Sequence, residues 1–172
     1  GYSSDTANLL LLDPVSGKLL DSMTGFTGDI RCSICYDTAT KAFYFTSKGG
    51  YLYSVQVQKS GSSWKLANQK RLALGGMSTS TPVVHNSRAY IGVSGQGQFT
   101  PYSGHNITVV DLSGNVPKIA YTVQTQGYPQ TSGLLTTAYE KSGSGYVYVY
   151  FFDNYTPGKL RVLKDSAGQT AP

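Results

Sequence analysis

The stretch Asn106-Ile107-Thr108-Val109-Val110-Asp111 decides the fold, because the same run of apolar residues recurs along the chain. It aligns with three other stretches: Asn8-Leu9-Leu10-Leu11-Leu12-Asp13, Tyr51-Leu52-Tyr53-Ser54-Val55-Gln56 and Lys159-Leu160-Arg161-Val162-Leu163-Lys164. The four start at residues 8, 51, 106 and 159, so they are 43, 55 and 53 residues apart. A second strand pattern starts at Cys32, Ser80 and Ser132, with spacings of 48 and 52 residues. A period of about fifty residues predicts a repeat architecture, in which each unit packs against its neighbours.

The composition is that of a folded but weakly charged protein. Of the 172 residues, 40% are hydrophobic and 12% are aromatic, which argues against disorder. Only 13% are charged, against about 25% in ordinary soluble proteins. The surface must therefore be covered by Ser, Thr, Asn, Gln, Gly and Tyr. Such surfaces are common among secreted and cell-surface β-proteins, which favours an extracellular or cell-envelope location.

The distribution of charged and apolar residues argues against a nucleic-acid partner and against a membrane-spanning helix. The formal net charge is +5, but the basic residues are scattered, and only Lys65–Arg71 is locally dense. A nucleic-acid binder would gather its Lys and Arg into a patch or stripe, so we expect no nucleic-acid partner. No run of eighteen or more apolar residues occurs, so we expect no membrane-spanning helix.

Aromatic and β-branched runs bounded by Gly, Ser and Pro predict strands throughout the chain. Examples are Phe43-Tyr44-Phe45, Ala89–Val93 and Tyr146–Phe152. Each repeat reads as four short strands joined by turns, and four antiparallel strands in about fifty residues are typical of one blade of a β-propeller. The sequence therefore predicts an all-β fold, a partial β-propeller of about three four-stranded antiparallel blades.

The repeat spacing also predicts the organisation of the chain. We expect residues 1–172 to form a single repeat domain. Its blade-like units span approximately residues 8–50, 51–105 and 106–158, and residues 159–172 start a further unit. Propellers typically close with four to eight blades, so three blades leave a sheet uncovered at each end. We therefore expect that the chain is a fragment of a longer propeller, or that copies associate as a homo-oligomer to complete one.

Two motifs recur in the repeat. A strand ending in Asp, a short spacer and a Gly occurs three times, in Leu12-Asp13-Pro14-Val15-Ser16-Gly17-Lys18, Val110-Asp111-Leu112-Ser113-Gly114 and Lys164-Asp165-Ser166-Ala167-Gly168. The segment 80–92 reads Ser-Thr-Pro-Val-Val, a short turn and an Ala-Tyr-Ile strand. These motifs resemble the pyrroloquinoline-quinone-type repeat of quinoprotein β-propellers and their non-catalytic relatives, and the likeness covers essentially the whole chain. The Trp that this family places after Gly-Lys is missing, because Leu19-Leu20-Asp21 occupies that region.

The resemblance implies one of two functions. Non-catalytic relatives serve as docking platforms of bacterial secreted or cell-envelope proteins, and we expect this function, with a protein or glycan as partner. The alternative is a fragment of a quinoprotein dehydrogenase. Those enzymes hold the quinone between a Trp and two adjacent cysteines, beside a calcium ion and a catalytic Asp. Here Cys32 and Cys35 are separated by two residues and the only Trp is Trp64, so we expect no cofactor, no bound metal and no enzyme activity.

The Cys and His residues give weak signals for chemistry. Cys32-Ser33-Ile34-Cys35 lies on a strand pattern, whereas a redox Cys-x-x-Cys needs a helix N-terminus to lower the thiol pKa. Spectator thiols are favoured, and a local disulfide and redox activity are the alternatives. A zinc site would need both cysteines together with His85 and His105. The histidines lie twenty residues apart beside turns, which predicts exposed loop positions instead.

The carboxylates and tyrosines complete the candidate residues. Asp13, Asp111 and Asp165 recur at one place in each repeat, which predicts side-chain caps of turns and not catalytic acids. The fourteen tyrosines are many for this length, and Tyr is favoured at interfaces because its body is apolar and its tip polar. We expect the loop tyrosines Tyr102, Tyr128 and Tyr155 to form a binding surface.

Overall fold

The computed structural model describes residues 7–95, 104–141 and 143–172. Within these residues the chain is all-β, with thirteen strands and no helix. The strands are β1 (Leu9–Leu12), β2 (Leu19–Met23), β3 (Cys35–Asp37), β4 (Ala42–Thr46), β5 (Tyr51–Ser60), β6 (Ser63–Ala73), β7 (Val83–His85), β8 (Arg88–Val93), β9 (Asn106–Asp111), β10 (Lys118–Gln124), β11 (Leu134–Thr136), β12 (Val147–Asp153) and β13 (Lys159–Asp165). The predicted all-β class is confirmed.

The strands form four antiparallel sheets, each built from consecutive strands. Sheet 1 contains β1 and β2, sheet 2 contains β3 to β6, sheet 3 contains β7 to β10, and sheet 4 contains β11 to β13. Within each sheet, every strand pairs with the strand that follows it along the chain. Short turns are sufficient for such pairing, because antiparallel neighbours need no long crossover.

The sheets are offset from the repeat units read from the sequence. The units starting at residues 51, 106 and 159 begin at β5, β9 and β13, which are the third strands of sheets 2, 3 and 4. The unit 51–105 therefore takes β5 and β6 from sheet 2 and β7 and β8 from sheet 3. A period fixes the spacing of equivalent strands, whereas hydrogen bonding decides which strands share a sheet.

Consecutive sheets pack face to face and share three core clusters. Between sheets 1 and 2, Leu9 and Met23 pack with Phe45, Tyr53 and Val55. Between sheets 2 and 3, Tyr44 and Leu52 pack with Ile91 and Val110. Between sheets 3 and 4, the cluster contains Tyr90, Ile107, Val109, Val149, Phe151 and Leu163. The alternation of side chains along a strand supplies both faces of a middle sheet. In β9, for example, Val109 packs towards sheet 4 and Val110 packs towards sheet 2.

Hydroxyl groups add links between the sheets. The Oγ1 of Thr46 in β4 donates to the carbonyl of Ser80, which precedes β7, at 2.8 Å. The Oγ of Ser80 in turn donates to the carbonyl of Thr131, which precedes β11, at 3.0 Å. These two bonds connect sheet 2, the approach to sheet 3 and the approach to sheet 4 in series.

Candidate binding surfaces

Of the three tyrosines predicted as a binding surface, the structure describes Tyr128 and Tyr155. Tyr102 lies outside the described residues. Tyr128 is fully buried, with its hydroxyl accepting a hydrogen bond from the backbone N–H of Thr79 at 2.6 Å and its ring stacked on His105. A buried tyrosine is stable when its hydroxyl has such a partner, so the prediction of a surface role for Tyr128 is wrong. Tyr155 is exposed.

The two cysteines are free thiols in half-buried positions. The Sγ of Cys32 accepts a hydrogen bond from the backbone N–H of Thr46 at 3.1 Å. Cys35 begins β3, and its partial burial raises the pKa of its thiol. A raised pKa disfavours the reactive thiolate. The geometry therefore supports the interpretation of spectator thiols.

The histidines do not both lie in exposed loops. His85 ends β7 and is half-buried, and His105 is fully buried beside Tyr128. The backbone N–H of Gly95 donates to Nδ1 of His105 at 3.1 Å, so the expectation of an exposed His105 is wrong. In the part of the chain that the structure describes, no three His, Cys, Asp or Glu residues form a group that could hold a metal ion.

The recurring aspartates divide into two groups. Asp13 accepts hydrogen bonds from the backbone N–H groups of Val15 and Ser16, and Asp111 accepts one from that of Ser113. Both are the turn caps that their positions predict. Asp165 is different, because both of its carboxylate oxygens are bound by side chains of sheet 3.

Asp165 is the centre of a buried polar cluster between sheets 3 and 4. Arg88 binds it with two parallel hydrogen bonds, from Nε to Oδ2 at 2.7 Å and from Nη2 to Oδ1 at 2.9 Å. The hydroxyls of Tyr90 and Tyr121 donate to the same carboxylate at 2.7 and 2.6 Å. All four residues are buried. Such a bidentate pair satisfies a buried charge with defined geometry, and the cluster ties β13 to β8 and β10.

Burial fixes the protonation of this cluster. Removal from water raises the pKa of Tyr90 and Tyr121, and the hydrogen bonds to Asp165 raise both further. For Arg88, burial lowers the pKa, but the hydrogen bond to Asp165 and its negative charge outweigh that effect and the net shift is upward. The two phenols are therefore neutral and the guanidinium of Arg88 is charged.

We expect the cluster to make stability fall steeply in alkali. A tyrosine whose pKa is higher in the folded state favours folding below the unfolded value of about 10, and this contribution is lost as the pH rises. Urea unfolding between about pH 9 and pH 11 should show a smaller pH slope in the Tyr90→Phe/Tyr121→Phe double variant than in the unchanged protein. A Tyr139→Phe/Tyr155→Phe control, at two exposed tyrosines, should keep the original slope. Equal slopes in all three proteins would contradict this assignment.

The last sheet presents an uncovered apolar face. Leu160 and Val162 of β13 are 56% and 54% exposed, whereas their repeat equivalents in β9, Ile107 and Val109, are buried against sheet 4. The register places Leu134 opposite Tyr150 and Phe152 opposite Leu160, so these side chains share the face. We call Leu134, Phe152, Leu160 and Val162 the C-terminal end face.

Sheet 1 also presents an uncovered apolar face, at the other end of the series of sheets. Leu10 and Leu12 of β1 are about half exposed, whereas their equivalents in β9, Thr108 and Val110, are buried, and Val110 packs towards sheet 2. Leu19 pairs with Leu12 and is also exposed. We call Leu10, Leu12 and Leu19 the N-terminal end face. Each end face thus carries the residues that elsewhere in the chain are covered by a neighbouring sheet.

Among the described residues, no helix is long and apolar enough to cross a membrane.

Neither comparison with known proteins identifies a relative. No protein-family model matches the chain, and no curated protein matches it significantly.

Proposed function

We propose that this chain is a non-catalytic β-propeller repeat module that acts as a protein- or glycan-interaction scaffold of a secreted or cell-envelope bacterial protein. The observation that carries the proposal is the pair of uncovered end faces. Leu160 and Val162 at one end, and Leu10 and Leu12 at the other, occupy positions that are buried between sheets elsewhere. Contiguous exposed apolar side chains of this kind mark interaction sites.

Comparison with sheet 3 indicates which surfaces fit against the two end faces. The C-terminal end face corresponds to the face of sheet 3 that packs on sheet 4, and the N-terminal end face corresponds to the face of sheet 3 that packs on sheet 2. The two are therefore suited to pack on each other, or on further sheets of the same repeat. Between two copies this contact is head-to-tail, which closes into a ring when the rotation allows it. In a longer propeller, the remaining blades supply the same contact.

Two features support a non-catalytic function. The most polar buried cluster, Arg88 with Asp165, is internally paired and serves packing between two sheets. Trp64 is the second residue of β6, at its exposed hairpin end, and Cys35 lies on β3, three strands away in the same sheet. Strands are spaced by about 4.8 Å, so roughly 14 Å or more separates these residues. That arrangement does not suit the sandwich that a quinoprotein dehydrogenase builds around its quinone.

The bacterial envelope location rests on two arguments. The repeat motif around Ser80–Gly92 resembles that of bacterial envelope proteins, and the low proportion of charged residues favours an extracellular surface.

Light scattering coupled to size exclusion tests the scaffold proposal. We expect the unchanged chain to self-associate and Val162→Asp to weaken association strongly, because a carboxylate in the covered interface would be buried without a partner. Ser62→Asp, in the exposed turn between β5 and β6, adds the same charge away from both end faces and should leave the assembly unchanged. A stable, well-folded monomer at all concentrations would count against the proposal.

A further inference from the structure

A pocket lined by tyrosine and lysine lies at one end of sheet 4. Its volume is about 290 Å³, near the lower end of the range of ligand pockets. The lining residues are Tyr139, Lys141, Ser144, Tyr146, Tyr148 and Lys164. None of them was among the binding residues predicted from the sequence, because they come from one loop and two strands that only the fold brings together.

The aromatic side chains form the walls of the pocket. The ring of Tyr139 meets that of Tyr148 edge-on, with the centroids 6.4 Å apart, and Tyr139 is 71% exposed. Lys164 pairs with Tyr148 across β12 and β13. Its Nζ lies 3.8 Å from the centroid of the Tyr146 ring, a cation–π contact that holds the ammonium at the pocket.

The charge of the pocket is positive. Lys141 and Lys164 are exposed and form no ion pair with a described residue. The acids next to these lysines in the sequence are already engaged, because Glu140 accepts a hydrogen bond from the backbone N–H of Gly145 at 2.6 Å and Asp165 is buried against Arg88. The two ammonium groups therefore favour a negatively charged ligand.

We infer that this pocket binds a saccharide that carries a carboxylate. The C–H face of a sugar ring packs on an exposed aromatic ring such as Tyr139, and the tyrosine hydroxyls and Ser144 provide uncharged hydrogen-bonding groups for its hydroxyls. Lys141 and Lys164 supply the counter-charge. An arginine fork, which binds phosphate with two parallel hydrogen bonds, is absent from the lining residues.

The pocket borders the C-terminal end face. Lys164 lies two residues from Val162 on the same face of β13, about 7 Å along the strand. The inference specifies a glycan partner for the proposed scaffold, but it does not depend on the end faces being covered.

Calorimetric titration with a galacturonic acid trimer tests the inference, with the uncharged methyl-esterified trimer as the reference ligand. We expect the acid to bind and Tyr139→Ala to weaken it at least about tenfold. The Lys141→Gln/Lys164→Gln double variant should remove the preference for the acid over the ester. Tyr155→Ala and Lys159→Gln, at an exposed tyrosine and an exposed lysine outside the pocket, should leave binding within about twofold.

Three results would overturn the inference. The first is no binding of the acidic trimer, and the second is binding that Tyr139→Ala does not change in a variant with an unaltered circular dichroism spectrum. The third is tighter binding of a mononucleotide or a short polyglutamate peptide at the same residues, which would assign the pocket to another class of ligand.

Discussion

Replacement of Asp165 with alanine is expected to lower the free energy of unfolding by about 3–5 kcal/mol, because it leaves a buried guanidinium without its counter-charge. Arg88 makes two hydrogen bonds to this carboxylate, and the hydroxyls of Tyr90 and Tyr121 each make one. All three side chains are buried, so water cannot easily replace the lost acceptor. Urea unfolding followed by circular dichroism measures the loss.

The repeat supplies a matched control for this experiment. Asp111 ends β9 as Asp165 ends β13, but it caps an exposed turn and pairs with Lys118. Asp111→Ala should therefore cost about 1 kcal/mol or less. If Asp165→Ala does not fold, the Arg88→Met/Asp165→Leu double variant should, because removing both charges avoids the unpaired group. Equal losses for Asp165→Ala and Asp111→Ala would contradict the importance of the cluster.

Replacement of Gly92 with alanine is expected to have the second large effect, a loss of about 3 kcal/mol or more. A Cβ at Gly92, the second-last residue of β8, would lie 1.6 Å from the carbonyl oxygen of Pro129. That carbonyl cannot move away easily, because Pro129 is buried and the preceding Tyr128 is held by the backbone of Asn154 and Thr79. Thermal unfolding should show a melting temperature lower by several degrees for a protein of this size.

Gly114 serves as the control for this substitution. It lies in the turn after β9, and a Cβ there would have no atom closer than 3.6 Å. Gly114→Ala should therefore change the melting temperature little. A Gly92→Ala protein as stable as Gly114→Ala would show that the close approach of β8 to Pro129 is not required.

The sequence predicted the strands well because the repeat leaves a local signal. The apolar runs beginning at Asn8, Tyr51, Asn106 and Lys159 correspond to β1, β5, β9 and β13. Period-two alternation and glycine-rich turns are properties of neighbouring residues, so they can be read without knowledge of the fold. The grouping of strands into sheets depends on hydrogen bonds between strands, which a period alone does not specify.

The candidate sites were less predictable, because they depend on contacts between distant residues. Asp165 ends its strand as Asp111 does, but it lies one residue later in the repeat alignment, so its side chain points to the opposite face of its sheet. There Arg88, seventy-seven positions away, binds it. Tyr128 follows a glycine in a connection and reads as a surface residue, yet the chain folds it against His105. The pocket was not predicted, because Tyr139 and Lys141 meet Lys164 only through the pairing of β12 with β13.

The serial packing of the sheets has a consequence for local unfolding. Because each core cluster joins only two neighbouring sheets, the chain approximates a one-dimensional array, whose end units have one neighbour instead of two. Sheet 1 has two strands and a single packed face, so its amide hydrogens should exchange with solvent at the lowest opening free energy. Sheets 2 and 3 are each flanked on both sides and should open last. If both end faces were covered, the end sheets would have two neighbours, as the middle sheets do. The difference in opening free energy between the sheets would then disappear, and the whole chain would unfold as one cooperative unit.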